Sequence, residues 1–237
     1  MPLPFFFEEQ LPDEEFFNLS EATSRHIVQV LRMHKGDQLK LTDGKGKVLT
    51  VEITLESKKA TEVKVPETVN RLPVTQNITI AISLIKNSSR FEWFLEKATE
   101  IGVSAIIPLI CERTEKQQFR YDRMKTILIS AMLQSQQAWL PLLSEPIKFK
   151  EFIKQPLRQQ KYIAHCIDEE KNLLSNEAFQ TTDQLILIGP EGDFTKDEVD
   201  AALQNNFIPV SLGSTRLRTE TAGIVACVLL NVANVPG

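Results

Sequence analysis

Gln184-Leu185-Ile186-Leu187-Ile188 runs straight into Gly189-Pro190-Glu191-Gly192-Asp193-Phe194, and that loop runs into Thr195-Lys196-Asp197-Glu198. The first piece has the length and apolar content of a buried strand. Gly189 and Pro190 end it. Thr195 and Glu198 then stand at capping-box spacing, which predicts a helix to about Leu203. Ile208 to Leu212 predicts another strand. It is followed by Ser211-Leu212-Gly213-Ser214-Thr215-Arg216-Leu217-Arg218-Thr219-Glu220-Thr221-Ala222 and an apolar helix from Glu220 to about Asn234. Strand, loop, helix, strand, loop, helix is the rhythm of an α/β domain with a mostly parallel sheet.

The same rhythm extends back to residue 77. Ile78 to Leu84 predicts a strand. Ser89 is a candidate cap for a helix with Phe91, Phe94, Leu95, Ala98 and Ile101 at helical spacing, stopped by Gly102. Ile106 to Leu109 and Lys161 to His165 predict strands, and Tyr121 to Ala138 a long helix. Upstream the pattern differs. Ser20 caps a predicted helix to about Met33 with Ile27, Val30 and Leu31 on one face. Gln38 to Thr42 predicts a strand, and Asp43-Gly44-Lys45-Gly46 a hairpin turn. Leu49, Val51, Ile53 and Leu55 alternate with polar residues, as in a half-buried strand. A further strand is expected over Thr61 to Val65, giving a small β-barrel or sandwich with Phe5, Phe6 and Phe7 in its core. Pro66 to Gln76 is polar and aperiodic, so the expected domains are residues 1–70 and 76–237.

Composition narrows the function. The chain has 237 residues, 42% hydrophobic and 24% charged, which fits a folded globular protein and excludes disordered, collagen-like and coiled-coil chains. Its longest apolar runs fall short of the roughly 20 residues of a membrane helix. The N-terminus has no basic segment, so no signal peptide is expected, and the expected location is cytoplasmic. Cys111, Cys166 and Cys227 stand apart among apolar neighbours, which predicts buried small hydrophobes, with neither a disulfide framework nor a metal site. Net charge is −4, against indiscriminate nucleic-acid binding, but it is unevenly spread. Arg25, Arg32, Lys35, Lys40, Lys45 and Lys47 crowd one stretch, and Arg113, Lys116, Arg120, Arg123 and Lys125 another. Each cluster reads either as a solvated face or as a phosphate-binding patch.

The two loops quoted first are where chemistry is expected. Ligands of open α/β sheets bind beyond the carboxyl ends of the strands. Three of the nine glycines, Gly189, Gly192 and Gly213, fall in these loops, where they let backbone groups approach a ligand or simply make tight turns. The polar run Arg216 to Thr221 precedes the last helix, a position suited to an anion. No dinucleotide fingerprint, P-loop or nucleophile elbow occurs.

Taken together, Ile188-Gly189-Pro190-Glu191-Gly192, Leu212-Gly213 and Leu217-Arg218-Thr219-Glu220-Thr221-Ala222 closely resemble the RsmE family of 16S rRNA (uracil-N3) methyltransferases, members of the SPOUT superfamily. Lys97-Ala98-Thr99-Glu100-Ile101-Gly102-Val103 with Pro108 resembles that family's first helix and following strand. Phe5 to Phe7, Ser24-Arg25-His26-Ile27, Val30-Leu31-Arg32 and Gly36-Asp37 resemble its PUA-like domain. In Leu133-Gln134-Ser135-Gln136-Gln137-Ala138-Trp139-Leu140-Pro141 only Gln134 and Pro141 match; the family's acid and arginine are missing.

The resemblance implies a C-terminal trefoil-knot domain, a homodimer packed through it, and S-adenosylmethionine as methyl donor, without metal. The cofactor would lie against Ala164 and His165, against Ile188, Gly189, Pro190 and Gly192, and against Ser211, Leu212, Gly213 and Leu217. Thr219, Thr221 and Ala222 would complete that site at the helix start. Arg218 would meet charge developing on the uracil oxygens. Glu220 reads as proton acceptor, as orienter of Arg218, or as a carboxylate at a helix N-terminus. Arg25, Arg32, Lys35 and Arg216 would touch RNA, most simply 16S rRNA within the 30S subunit. The rival readings are a SPOUT methyltransferase of another RNA site and a non-catalytic RNA-binding module.

Overall fold

A computed structural model describes residues 3–72, 77–115, 117–167, 169–177 and 183–232. The chain divides into two compact units, residues 1–73 with 132–140, and residues 74–131 with 141–237.

The first unit contains strands β1 (Phe5–Phe7) and β2 (Phe16–Asn18), a one-turn helix α1 (Glu21–Arg25) and a π-helical turn over His26–Val30. Strands β3 (Gln38–Thr42), β4 (Lys47–Leu55) and β5 (Glu62–Asn70) follow. They form a curled five-stranded sheet in the order β1-β3-β4-β5-β2. The β3–β4 register sets Leu39 opposite Val51 and Leu41 opposite Leu49, all four buried. With Ile27, Ile53 and Val63 they make the core, and Phe6 packs against it.

Several expectations change here. The Ser20 hydroxyl does cap α1, accepting from the Thr23 amide at 3.3 Å. The helix ends at Arg25 rather than Met33, however, and Val30 and Leu31 are exposed, because the π turn rotates them off the buried face. Leu55, last in its strand, is exposed too. Pro66 to Asn70 is strand, held by β4 through Lys47–Asn70 and Thr50–Glu67 pairings. Of the rest of the expected linker, Arg71 and Leu72 are irregular and residues 73–76 lie outside the described residues, as do Lys116 and the end of the last helix beyond Val232. The divergent segment belongs to this first unit up to Leu140. Its Ala138 carbonyl accepts from the Gly46 amide at 2.9 Å, and the Leu140 amide donates to the Gly44 carbonyl at 2.8 Å. The Trp139 indole donates to the carbonyls of Arg71 and Leu72, both at 3.2 Å.

The second unit begins with β6 (Asn77–Ser83), α2 (Ser88–Ile101) and β7 (Ala105–Ile110), followed by α3 (Tyr121–Gln134), whose last turn belongs to the first unit. The short pieces β8 (Leu142–Leu143), β9 (Ile147–Lys148) and α4 (Phe149–Phe152) come next. Then follow β10 (Gln160–Ala164), β11 (Asn172–Leu173), α5 (Leu174–Glu177), β12 (Asp183–Ile188), α6 (Lys196–Gln204), β13 (Ile208–Ser211) and α7 (Thr219–Val232). The strands run β11-β13-β10-β12-β6-β7-β8, with β9 also on β7, and every described pairing is parallel. Central β12 is buried from Gln184 to Ile188 because helices cover both faces. On one face Leu185 and Leu187 join Val199 and Ala202 of α6 and Phe149, Phe152, Phe194 and Phe207. On the other, α7 packs on α2, β6 and β12. A Cβ on Gly223 would lie 2.6 Å from the Phe94 ring and 3.0 Å from Ile82, so glycine is what lets α7 approach this closely.

The cap of α2 is Asn87, whose side chain accepts from the Ser89 amide at 3.0 Å; Ser89 is already inside the helix. The capping box of α6 forms as expected, with Glu198 also accepting from the Thr195 amide at 2.9 Å. Residues 212–218 connect β13, the neighbour of β10, to α7, which packs on α2, β6 and β12. Among the described residues no helix is long and apolar enough to cross a membrane.

Candidate active site

Strands β10, β12 and β13 are neighbours, with Ala164 beside both Ile188 and Val210. Their carboxyl ends therefore open at one place. A cavity of about 850 Å³ lies there. From β10 it is lined by Ala164, His165 and Cys166, and from β12 by Ile188, Gly189, Pro190 and Glu191. From β13 come Ser211, Leu212 and Gly213, and the return loop adds Arg216, Leu217 and Arg218. Thr219 and Ala222 of α7 close it. Three loops separated in sequence thus converge because their strands are adjacent.

The loops are shaped internally. The Ser211 hydroxyl donates to the Gly213 carbonyl at 3.0 Å and accepts from the Gly213 amide at 3.3 Å. Gly213 has φ 140°, a conformation other residues rarely take, and faces open space. In the other loop the Asp193 amide donates to the Pro190 carbonyl at 2.9 Å. Asp193 is left-handed at φ 63°, and its carboxylate accepts from the Cys166 amide at 2.7 Å and the Phe194 amide at 2.9 Å. Those bonds offset the backbone cost. Arg113 donates to the Gly192 carbonyl at 2.7 Å, so the loop is tied from β7's side as well.

His165 is 7% exposed, and among the described residues neither ring nitrogen has a hydrogen-bond partner. Burial first, and then the Lys171 ammonium, hold its pKa below the ordinary value. A neutral imidazole with one free donor and one free acceptor thus lines the cavity. Cys166 was expected to be buried. It is exposed, because β10 ends at Ala164 and the chain has left the sheet. Cys111 and Cys227 are buried as expected, and burial pushes the Cys111 thiol up to about 12.

Gly192 of the first loop does not line the cavity, nor do Glu220 and Thr221 in the first turn of α7. Glu220 is 6% exposed, and its Oε1 lies 3.7 Å from Nε of Arg90, while Oε2 has no hydrogen-bond partner among the described residues. Arg90 also pairs with Glu191 at 3.3 Å and lines the cavity. Arg90 and Lys171 were not singled out from the sequence, and Glu191 and Asp193 stood in the quoted loop without a role. A signal for Arg90 existed: it sits in the first turn of the helix after β6, and β6 is β12's neighbour. Arg25, Arg32 and Lys35 lie in the first unit, all exposed. Arg25 pairs with Glu21, and Arg32 takes a left-handed backbone at φ 53°. Of the two basic clusters, Lys47 is tied to Asp13 at 2.6 Å and Arg123 to Glu92 by two bonds. Among the described residues no group of three or more His, Cys, Asp or Glu is placed to hold a metal.

The pattern of the RNA methyltransferase domain matches residues 71–231, and that of the RNA methyltransferase PUA domain residues 19–65. The ribosomal RNA small subunit methyltransferase E of Synechocystis is 31% identical over 225 residues, spanning 92% of this chain and 73% of that one. The crystal structure of a probable rRNA-methyltransferase from Porphyromonas gingivalis superposes with a TM-score of 0.89 at 38% identity over 98% of both chains. That of a ribosomal RNA small subunit methyltransferase E from Neisseria gonorrhoeae, bound to S-adenosylmethionine, gives 0.87 at 30% identity over 97% of both. Fold, paired glycine loops and these likenesses agree, and the chain belongs to the RsmE family of RNA methyltransferases.

Proposed function

We propose that this protein transfers a methyl group from S-adenosylmethionine to N3 of a specific uridine in 16S rRNA. The observation that carries the reading is the convergence of both glycine loops and the end of β10 on one cavity in a chain of this family. The residues present fit the cofactor. Ile188, Leu212 and Leu217 offer apolar wall for an adenine, backbone groups of three loops offer hydrogen bonds, and His165 has two unmet ring nitrogens. When bound, the cofactor supplies an electrophilic methyl on a sulfonium centre.

The remaining work falls to the protein. N3 of uracil carries a weakly acidic proton normally used in pairing, so the base must be unpaired. Negative charge grows on the uracil oxygens as that proton leaves. Arg218 lines the cavity and is exposed; its carbonyl accepts from the Ala222 amide at 2.7 Å, while its side chain has no hydrogen bond or ion pair among the described residues. Its guanidinium is free to meet the base or the flanking phosphate. Arg216 sits on the same loop and is proposed to contact RNA. Arg25, Arg32 and Lys35 on the first unit are proposed as phosphate contacts.

The chain is further proposed to act in the cytoplasm, on 16S rRNA within the 30S subunit, and as a homodimer. Support for the dimer is an apolar face left uncovered in the second unit, where Trp93, Val228 and Val232 are exposed on α2 and α7. Sedimentation is expected to give a dimer at micromolar protein, and a monomer would remove that part of the reading.

The test of the chemistry is single-turnover methylation of 30S subunits beside cofactor titration. Arg218→Ala is expected to lose on the order of a hundredfold in rate with cofactor affinity nearly kept. Arg218→Lys is expected to recover part, because lysine keeps the charge without the planar fork. Parental rates in Arg218→Ala would remove Arg218 from the chemistry. RNA binding with no methyl transfer by the parent protein would favour a binding module.

A further inference from the structure

Arg90 stands where three segments meet. It belongs to the first turn of α2, its Nη1 is 3.3 Å from Glu191 in the Gly189–Gly192 loop, and its Nε is 3.7 Å from Glu220 in the first turn of α7. The two carboxylates differ. Glu191 is partly exposed, so its pair with Arg90 is weak alone. Glu220 is almost wholly buried, and among the described residues its only ion pair is with Arg90. A buried carboxylate needs a counter-charge or must take up a proton. The guanidinium therefore has a fixed anchor in Glu220 and a movable partner in Glu191. Without it, Glu191 and Glu220 would be left on either side of the space the guanidinium fills.

We infer that Arg90 is a positioning residue, a clamp that locks the Gly189–Gly192 loop to the start of α7 through Glu191 and Glu220 and so sets the shape of the cofactor cavity. In this arrangement Glu220 serves Arg90 rather than Arg218. The inference deepens the S-adenosylmethionine reading and rests on it only for the ligand used as probe. Both loops of the cavity are tied elsewhere at their far ends, the first by Arg113 to Gly192 and the second by the packing of Gly223 on Phe94. The Arg90 clamp is the described tie between the loops at the cavity itself.

The test combines amide hydrogen exchange of the ligand-free protein, calorimetric titration with S-adenosylmethionine, and thermal melting. In Arg90→Ala, exchange is expected to rise at residues 189–193 and 219–222, and affinity to fall on the order of tenfold. Arg90→Lys is expected to recover part of both. Arg90→Ala with Glu191→Gln is expected to recover part of the loss, because the repulsion between the two carboxylates is gone. A merely structural arginine would show no such rescue. Arg90→Ala is also expected to melt below the parent, because it leaves the buried Glu220 carboxylate without its counter-charge, and adding Glu220→Gln is expected to recover part of that loss. Parental exchange at both segments, or a double variant no better than Arg90→Ala, would overturn the clamp. If the parent binds no S-adenosylmethionine, the cofactor reading fails, while exchange and melting still decide the clamp.

Discussion

Cys166 and His165 sit side by side on the cavity wall and make two measurable consequences. Cys166 is the one exposed thiol, while Cys111 and Cys227 are buried and raised in pKa by burial. Thiol titration of the native protein is expected to find one fast-reacting group and two more only after denaturation. Saturating S-adenosylmethionine is expected to slow that group, because Cys166 lines the cavity. His165 is held neutral by burial and by Lys171, with its folded-state pKa below the 6.5 of a free imidazole. The unfolded chain therefore takes up a proton at this residue before the folded protein does. Stability is expected to fall as pH drops below about 6.5 and to level off once the folded-state pKa is passed. In His165→Gln that component is expected to vanish from melting curves recorded between pH 7 and pH 5. A variant with the parental pH slope would show that His165 is not the group responsible.

At the scale of elements, the close approach of α7 to α2 is the most exposed to a single substitution. Gly223→Ala gains up to about 1 kcal/mol of helix propensity. It also drives a Cβ to 2.6 Å from Phe94, a fully buried ring with no room to retreat. Overpacking of this kind costs about 1–3 kcal/mol, so a net fall of several degrees in melting temperature is expected. Asn87→Ala at the α2 cap is expected to cost about 1 kcal/mol, and Ser89→Ala less, since Ser89 is not the cap. That last contrast shows what local sequence conveys. The apolar run ending at Ile188, the capping box at Thr195 and the alternation from Leu49 to Ile53 were readable because each carries its own periodicity or spacing. Whether Asn87 or Ser89 caps α2 was not readable, since both are good caps and the choice depends on where β6 ends. The π turn at His26 was hidden for the same reason. Helical spacing runs on through Val30 and Leu31, and only the packing of Ile27 and Met33 under the sheet shows that the turn must rotate.

At the scale of the molecule, the cofactor loops were legible and their partners were not. Gly189 to Gly192 and Leu212 to Ala222 announce themselves by composition. Arg90 and Lys171 become neighbours of these loops only through strand order, which places β6 and β10 on either side of β12. Met132 to Leu140 likewise gave no local sign that it would pair with the Gly44–Gly46 turn of the first unit. The division of labour between units predicts a separation of effects. Replacing Arg25, Arg32 and Lys35 together with alanine is expected to weaken RNA binding and to flatten its salt dependence by up to about three phosphate contacts. Affinity for S-adenosylmethionine is expected to stay at the parental value. An equal loss in both would contradict the assignment of those residues to RNA.

Methyl transfer to N3 of one uridine in 16S rRNA blocks the pairing face of the base. Primer extension on 16S rRNA, from 30S subunits lacking the modification and incubated with the protein and S-adenosylmethionine, reads that chemistry directly. A single new stop is expected, one that requires both protein and cofactor and that fades in Arg218→Ala. Full-length extension with no new stop, from a protein that binds the cofactor, would contradict that chemistry.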